Sequence, residues 1–146
     1  MVCSFFGHRD TPIAIEEFLE KILVDLIENK NVTVFYVGNN GKFDFIVLKI
    51  LRKLKKEYGD ISYNVVLAYM PKRENEYEEF DYAETLFVEG IEFVPKRFAI
   101  SMRNEWMVKQ ADYVVAYVKH NFGGAYQFVH KAAINGKAVI NIADFL

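Results

Sequence analysis

The chain has a single cysteine in its 146 residues, which limits the covalent cross-links and metal sites that it can form. Cys3 has no second cysteine to pair with, so an internal disulfide and a cysteine-rich metal site are excluded, and the composition is typical of a reducing compartment. No run of about 18 apolar residues occurs, as a membrane helix would need, and residues 1–7 show no basic segment of a secretory leader. We therefore expect a cytoplasmic protein with no membrane contact.

Net charge is also small. The chain carries 20 acidic residues against 18 lysines and arginines, which gives a formal charge of -2 and no general attraction to nucleic acid or to anionic membranes. Its histidines and carboxylates do not follow metal-ligand spacing, so we predict no metal and no other cofactor. A hydrophobic content of 52% and a charged content of 26% predict one globular domain over residues 1–146.

Short apolar runs alternate with helical patterns along the chain. The runs lack polar alternation, which is typical of strands covered on both faces. They occupy residues 2–6, 32–37, 65–70, 113–118 and 139–142, and helical spacing marks residues 15–26, 43–54, 103–111 and 128–133. This order predicts a Rossmann-like, doubly wound α/β fold with a mainly parallel sheet of about five strands and helices on both faces.

Residues 71–98 break this alternation. Residues 73–79 are too charged for a core, so we predict a surface insertion in the domain, in which residues 91–94 could form a short extra strand. Two roles stay open for the insertion: closing over a binding pocket or joining an interface between subunits.

Two glycine-containing corners, at residues 38–44 and 121–125, each follow an apolar run and precede a helical pattern. A glycine there lets the backbone approach an anion, and the first N–H groups of the next helix lack intrahelical partners and lie at the positive end of its dipole. The corners therefore predict a phosphate site, although glycines at such places can also serve only to make tight turns.

The carboxyl ends of parallel strands are where ligands bind in such a sheet, and this rule selects the candidate site. Arginines there could grip a phosphate through two hydrogen bonds. The predicted ligand-binding residues are Gly7, His8, Arg9, Gly38, Asn39, Asn40, Gly41, Asp44, Arg103, Asn104, Gly123, Gly124 and Ala125. Lys42, Lys119 and His120 add positive or titratable groups near them.

Structural roles for the same residues are alternatives. His8 and Arg9 could form a buried pair that ties the first helix to the sheet, and Arg103 could pair with Glu105 or Asp112. Among the many aromatic residues, most of which must lie in the core, Phe43, Phe122 and Tyr126 stand where a loop could offer a ring to a ligand. We list these three as candidates for stacking on a base.

The sequence resembles the SLOG superfamily, which includes the Lonely-guy phosphoribohydrolases, the DNA-processing protein DprA and small stand-alone proteins of the YpsA group. The resemblance rests on residues 6–9, on the G-x-x-G-x-D pattern within residues 37–44, on Arg103-Asn104 with Met107, on Ala111-Asp112 and on residues 123–141 with their paired glycines and Ala132. It implies a Rossmann-like fold that binds nucleotides or nucleotide-derived signals beneath the two glycine corners, without fixing one activity.

One departure from this pattern concerns catalysis. Lonely-guy enzymes carry Pro-Gly-Gly-x-Gly-Thr-x-x-Glu, whereas residues 122–130 lack the threonine and place His130 at the glutamate position. Cleaving an N-glycosidic bond needs a carboxylate near the anomeric carbon. Arg103 matches the family arginine, and Asp44 or Glu105 could replace the missing carboxylate. We predict a nucleotide-binding module, a sensor or sequestering protein, and keep as the alternative a phosphoribohydrolase acting on nucleoside 5'-monophosphates.

A basic run could suggest nucleic-acid binding, because DprA binds single-stranded DNA. Its side chains are expected on the polar face of one helix, where they suit the helix C-terminus, and no aromatic platform accompanies them. The run consists of Lys49, Arg52, Lys53, Lys55 and Lys56. We therefore predict a small nucleotide-like ligand and no nucleic-acid partner. Since members of the superfamily often pair through helices, the resemblance also implies a homo-oligomer.

Overall fold

The computed structural model describes residues 1–69 and 82–146 as an alternating series of strands and helices. Short 3-10 helices lie at Ile13–Ile15, Tyr82–Glu84, Ile91–Phe93 and Ile142–Phe145. The main elements are β1 (Val2–Gly7), α1 (Glu16–Asn29), β2 (Val34–Val37), α2 (Lys42–Glu57), β3 (Ser62–Leu67), β4 (Thr85–Phe87), α3 (Lys96–Gln110), β5 (Tyr113–Tyr117), α4 (Gly124–Ile134) and β6 (Ala138–Asn141).

The strands described here form one parallel sheet in the order β4-β3-β2-β1-β5-β6. The chain adds strands outward from β1 as far as β4, and then returns to place β5 on the other side of β1. This reversal creates a switch point between β1 and β5. The predicted Rossmann-like α/β fold is confirmed, with six strands in residues 1–69 and 82–146 instead of about five.

The sheet is covered on both faces, and neighbouring residues of one strand serve the two sides. Phe5 joins the core beneath α1 and α2, where its ring lies 6.1 Å from that of Phe35. Phe6 joins the core beneath α3 and α4, where its ring lies 6.0 Å from that of Phe128. Successive side chains of a strand point to opposite faces, so a strand buried on both sides reads as a continuous apolar run.

The predicted strand at residues 91–94 is wrong, because Ile91–Phe93 is a 3-10 helix. Gly90 turns the chain in a left-handed conformation (φ 83°), and the Phe93 and Val94 N–H groups then donate to the Gly90 and Ile91 carbonyls (both 3.1 Å) instead of pairing with a strand. The additional strand is β4, whose Thr85 pairs with Val65 of β3. Of the segment predicted as an insertion, residues 71–81 lie outside the described residues, and the rest supplies β4 and the start of α3.

No helix within residues 1–69 and 82–146 has both the length and the apolar character needed to cross a membrane.

Candidate functional site

A polar cleft of about 350 Å³ lies at the carboxyl edge of the sheet, at the switch point between β1 and β5. The loops after β1, β2 and β5 and one face of α3 meet around it. Ten of the thirteen predicted ligand-binding residues line the cleft: Gly7, His8, Arg9, Gly38, Asn40, Asp44, Arg103, Asn104, Gly124 and Ala125. The structure thus brings together residues that are far apart in the sequence.

The other three predicted residues lie elsewhere. Asn39 and Gly41 line a neighbouring cleft of about 300 Å³, which shares Gly38 and Asp44 with the first one. Gly123 lines neither cleft and serves as the N-cap of α4. Asp44 therefore stands in the wall between two adjoining clefts.

The corner between β2 and α2 is held by contacts within the protein. The Asp44 carboxylate accepts a hydrogen bond from the Asn40 N–H (2.9 Å), and the Lys42 N–H donates to the Arg9 carbonyl (2.9 Å). Gly41 has φ of 100°, and a Cβ atom added there would lie 2.6 Å from the Cα of Arg9. Gly41 thus allows two loops to pack closely, which is a structural role.

The corner between β5 and α4 is open by comparison. Gly123 begins it with φ of 93°, and no side chain caps the helix among the described residues. The N–H groups of the first turn have no intrahelical partner, and they lie at the positive end of the α4 dipole. Gly124 is exposed, and a Cβ atom added there would meet nothing within 4 Å. Of the two corners, this one is the more exposed, and no other loop among the described residues engages the first N–H group of its helix, which suits it to meet an anion.

Arg103 lies beneath the cleft with only 2% of its surface exposed. Its Nη1 donates to the Val66 carbonyl (2.9 Å) and to Asn39 Oδ1 (3.3 Å), and its Nε donates to Asn104 Oδ1 (2.8 Å). These bonds use three of the five N–H donors that a guanidinium carries. The two donors on Nη2 have no hydrogen-bond partner within residues 1–69 and 82–146.

The pairing that we considered for Arg103 with Glu105 or Asp112 is not observed. Glu105 forms an exposed ion pair with Lys131 (2.8 Å), and Asp112 accepts a hydrogen bond from the Val2 N–H (2.9 Å). The carboxylate near the guanidinium is instead that of Asp44, in the wall of the cleft.

Burial raises the pKa of Asp44 to about 6, while the Asn40 N–H and the Arg103 charge act in the opposite direction. Burial likewise lowers the pKa of Arg103, and the negative charge of Asp44 opposes this change. The cleft therefore contains a carboxyl group that gains or loses its proton close to neutral pH.

His8 connects the loops after β1 and β5. Its Nε2 accepts a hydrogen bond from the Lys119 N–H (2.9 Å), so the neutral ring carries its proton on Nδ1. Burial and then His120 lower the pKa of His8, with a smaller lowering from Lys119, and Asp10 opposes them. Its carbonyl accepts from Thr11 Oγ1 (2.7 Å), and the neighbouring Arg9 is exposed. A buried His8–Arg9 pair is therefore not present.

The two candidate replacements for the missing glutamate, Asp44 and Glu105, differ in their position relative to the cleft. Asp44 lines the cleft, whereas Glu105 does not and faces Lys131 at the surface. His130 stacks against Tyr126 (ring centroids 5.7 Å apart), and both line a separate cavity together with His120. Within the described part of the chain, Asp44 is the carboxylate that lines the cleft, and no group of three or more potential metal ligands lies together.

Sequence reasoning missed three apolar residues of the cleft: Phe5, Phe6 and Ile100. Phe6 directly precedes Gly7 at the end of β1. Ile100 lies three residues before Arg103 on α3, and helical spacing places such residues on one face. That spacing, applied backward from Arg103, was the signal that could have found it.

The fold and the cleft at its switch point define a Rossmann-like parallel α/β protein with a polar cleft at the carboxyl edge of its sheet. The chain belongs to the YspA SLOG family, because the YpsA model with that description matches residues 3–142. The resemblance inferred from the sequence is thus confirmed.

A solved structure of similar fold is the X-ray structure of DNA processing protein A (DprA) from Streptococcus pneumoniae. The TM-score is 0.67 at 16% sequence identity, over 94% of this chain and 48% of that one. This chain thus corresponds to about half of DprA, and the similarity at this identity concerns the fold. No curated protein sequence matches the chain significantly.

Proposed function

We propose that this protein binds a nucleotide or a nucleotide-derived ligand in the cleft, as a sensor or as a module that sequesters the ligand. One observation carries the proposal: loops after three strands and Arg103 of α3 meet in one polar cleft at the switch point of the sheet. Parallel α/β sheets bind ligands at this place. Membership in a SLOG family supports the same function.

Phosphate recognition follows from the donors around the cleft. The open first turn of α4 supplies backbone N–H groups, and the exposed Arg9 supplies a positive charge. The Nη2 donors of Arg103 add a charge-assisted contact from below, held in place by the three other hydrogen bonds of that guanidinium. Together these groups suit one anionic group of a ligand.

The second candidate function is hydrolysis of the N-glycosidic bond of a nucleoside 5'-monophosphate. It is favoured by Asp44, a carboxyl group in the cleft wall whose pKa of about 6 suits proton transfer near neutral pH. One oxygen of this carboxylate, Oδ2, already accepts the Asn40 N–H, so Asp44 also has a structural task. For this reason we place binding first.

Nucleic-acid binding is not part of the proposal, although the name of DprA refers to DNA processing. Lys49 and Lys53 of the basic run form ion pairs with α1, to Glu16 and Glu20, both at 3.0 Å. Arg52 forms two hydrogen bonds with the Glu84 carboxylate (2.9 and 3.0 Å). Charges already paired within the protein attract phosphates weakly.

The test is to incubate the protein with nucleoside monophosphates, ADP-ribose, cyclic nucleotides and a short single-stranded oligonucleotide. Retained and free fractions are then separated and identified by mass spectrometry. An intact nucleotide in the retained fraction supports the binding module. Free base with ribose 5-phosphate, abolished by Asp44→Asn, supports the hydrolase instead. Retention of the oligonucleotide alone, or of no compound, without release of base and ribose 5-phosphate would overturn both.

Residues 1–146 acting as one domain, a cytoplasmic location and assembly into a homo-oligomer are further parts of the proposal. The first is supported by the single sheet that contains all described strands. Light scattering of the purified chain measures its oligomeric state, and a monomer at all concentrations would remove the homo-oligomer.

A further inference from the structure

We infer that Phe122 and His120 form a subsite for the aromatic base of the ligand, beside the cleft that receives its phosphate. This inference rests on the proposed function, because it assigns the base of a nucleotide to a particular surface of the same site. It would make the protein selective for nucleotides over sugar phosphates that lack a base.

Three rings form a row that leads from the wall of the cleft to the surface. His8 lines the cleft, and its ring centroid lies 5.0 Å from that of His120. His120 in turn stacks on Phe122, with centroids 5.1 Å apart and ring planes 21° from parallel. Phe122 ends the row and is 68% exposed. An aromatic base can extend this row by stacking on its exposed end.

The inner end of the row is fixed to the body of the protein. His8 accepts the Lys119 N–H through Nε2, and its ring meets the buried Tyr117 ring edge-on, with centroids 6.1 Å apart. Packing on this fixed ring restricts His120, so less conformational freedom is lost when a base stacks at the outer end of the row. The row is therefore suited to bind a flat ring.

Phe122 also lies close enough to the proposed phosphate site for one ligand to reach both. Gly124, the first residue of α4, follows two residues later, so their Cα atoms lie at most about 7.6 Å apart. A ribose can bridge a phosphate at the first turn of α4 and a base on Phe122. The stacked rings and the open corner would thus bind two parts of the same ligand.

Exposure of a phenylalanine is not by itself a sign of binding, and the chain offers a matched control. Phe93 is 85% exposed on the 3-10 helix before α3, and it does not line the cleft. Phe93→Leu therefore removes an exposed ring of the same kind from another surface. Phe122→Leu removes the ring from the row but keeps an apolar side chain, and Phe122→Tyr keeps a ring.

The experiment measures the affinities of AMP, GMP, CMP, UMP and ribose 5-phosphate by isothermal titration calorimetry, for the wild type and the three variants. We expect at least one nucleotide to bind about fivefold or more tightly than ribose 5-phosphate. This preference should vanish in Phe122→Leu and persist in both Phe122→Tyr and Phe93→Leu.

Two results would overturn the inference, and they are distinguishable. Equal binding of nucleotides and ribose 5-phosphate, or a preference that survives in Phe122→Leu, removes the base subsite and leaves the phosphate site in place. Binding of none of the five compounds removes the proposed function for monophosphates and the subsite with it.

Discussion

The carboxylate of Asp44 and the guanidinium of Arg103 approach each other beside Gly38, at the position that a side chain of residue 38 would occupy. A Cβ atom added to Gly38 would lie 2.9 Å from Asp44 Oδ2 and 3.1 Å from Arg103 Nη1. The two groups come from α2 and α3, on opposite faces of the sheet, and they meet at its carboxyl edge. This meeting places a titrating carboxyl group next to a fixed positive charge.

Titration of Asp44 should show this relationship directly. In carbon-detected NMR, the Asp44 carboxyl signal should change with a midpoint near pH 6. Arg103→Gln should move the midpoint upward, because it removes a cation that stabilises the ionised form. Asp44→Asn removes the signal and so assigns it. An unchanged midpoint in Arg103→Gln would show that the two groups do not interact.

The same carboxyl group should make stability depend on pH. Its folded pKa of about 6 lies above the ordinary value of 3.8, so the folded protein holds this proton more tightly than the unfolded chain. The contribution is fully present below pH 3.8 and is lost as the pH rises through 6, by up to about 3 kcal/mol. Urea unfolding between pH 4 and 7 measures it. In Asp44→Asn this part of the pH dependence should be gone, and its persistence would assign it to another group.

Gly41 and Gly123 share a positive-φ, extended-ψ conformation that is nearly exclusive to glycine, but they differ in surroundings, which allows the cost of packing to be separated from that of torsion. Gly41→Ala should lower the free energy of unfolding by about 4 kcal/mol, because its new methyl group would also meet the Arg9 backbone at 2.6 Å. Gly123→Ala meets nothing within 4 Å and should lose about 2 kcal/mol through its torsion alone. Denaturant unfolding compares them. Equal losses would show that the loops do not need their close approach.

Gly124→Val tests the open corner of α4. The position lies in the first turn of the helix, and its Cβ direction leads into free space, so the variant should fold with nearly unchanged stability. Its branched side chain should keep a phosphate away from the first N–H groups and lower nucleotide affinity about tenfold or more. Calorimetric titration measures the affinity, with circular dichroism to verify the fold. Normal affinity in a folded variant would contradict the anion site at α4.

The sequence predicts the fold well because each central strand is buried on both faces and therefore consists of a continuous apolar run. Phe5 and Phe6 serve opposite cores, and so the apolar run has no polar interruption. Strand β4 has three half-buried residues at the edge, and its identity depends on pairing with β3. The local sequence pattern of β4 does not indicate this pairing with β3.

The sequence predicts the location of the site but not all of its contacts. The carboxyl ends of the strands select the loops, because parallel topology brings these ends to one edge. The difference between the two glycine corners was not predictable, since it depends on a bond from the Lys42 N–H to the Arg9 carbonyl in another loop. The environment of Arg103 likewise depends on Val66 of β3, which no motif near Arg103 indicates.

The two glycine corners differ in how the N-termini of their helices are engaged, which makes the cleft asymmetric. The first backbone donor of α2 is engaged inside the protein, whereas the first residue of α4 is exposed, so the dipoles of the two helices are not equally available to an anion. In the proposed complex, this difference would favour one orientation of a ligand that has one charged end and one neutral end. The backbone would thus act together with Arg9 and Arg103 in distinguishing the two ends.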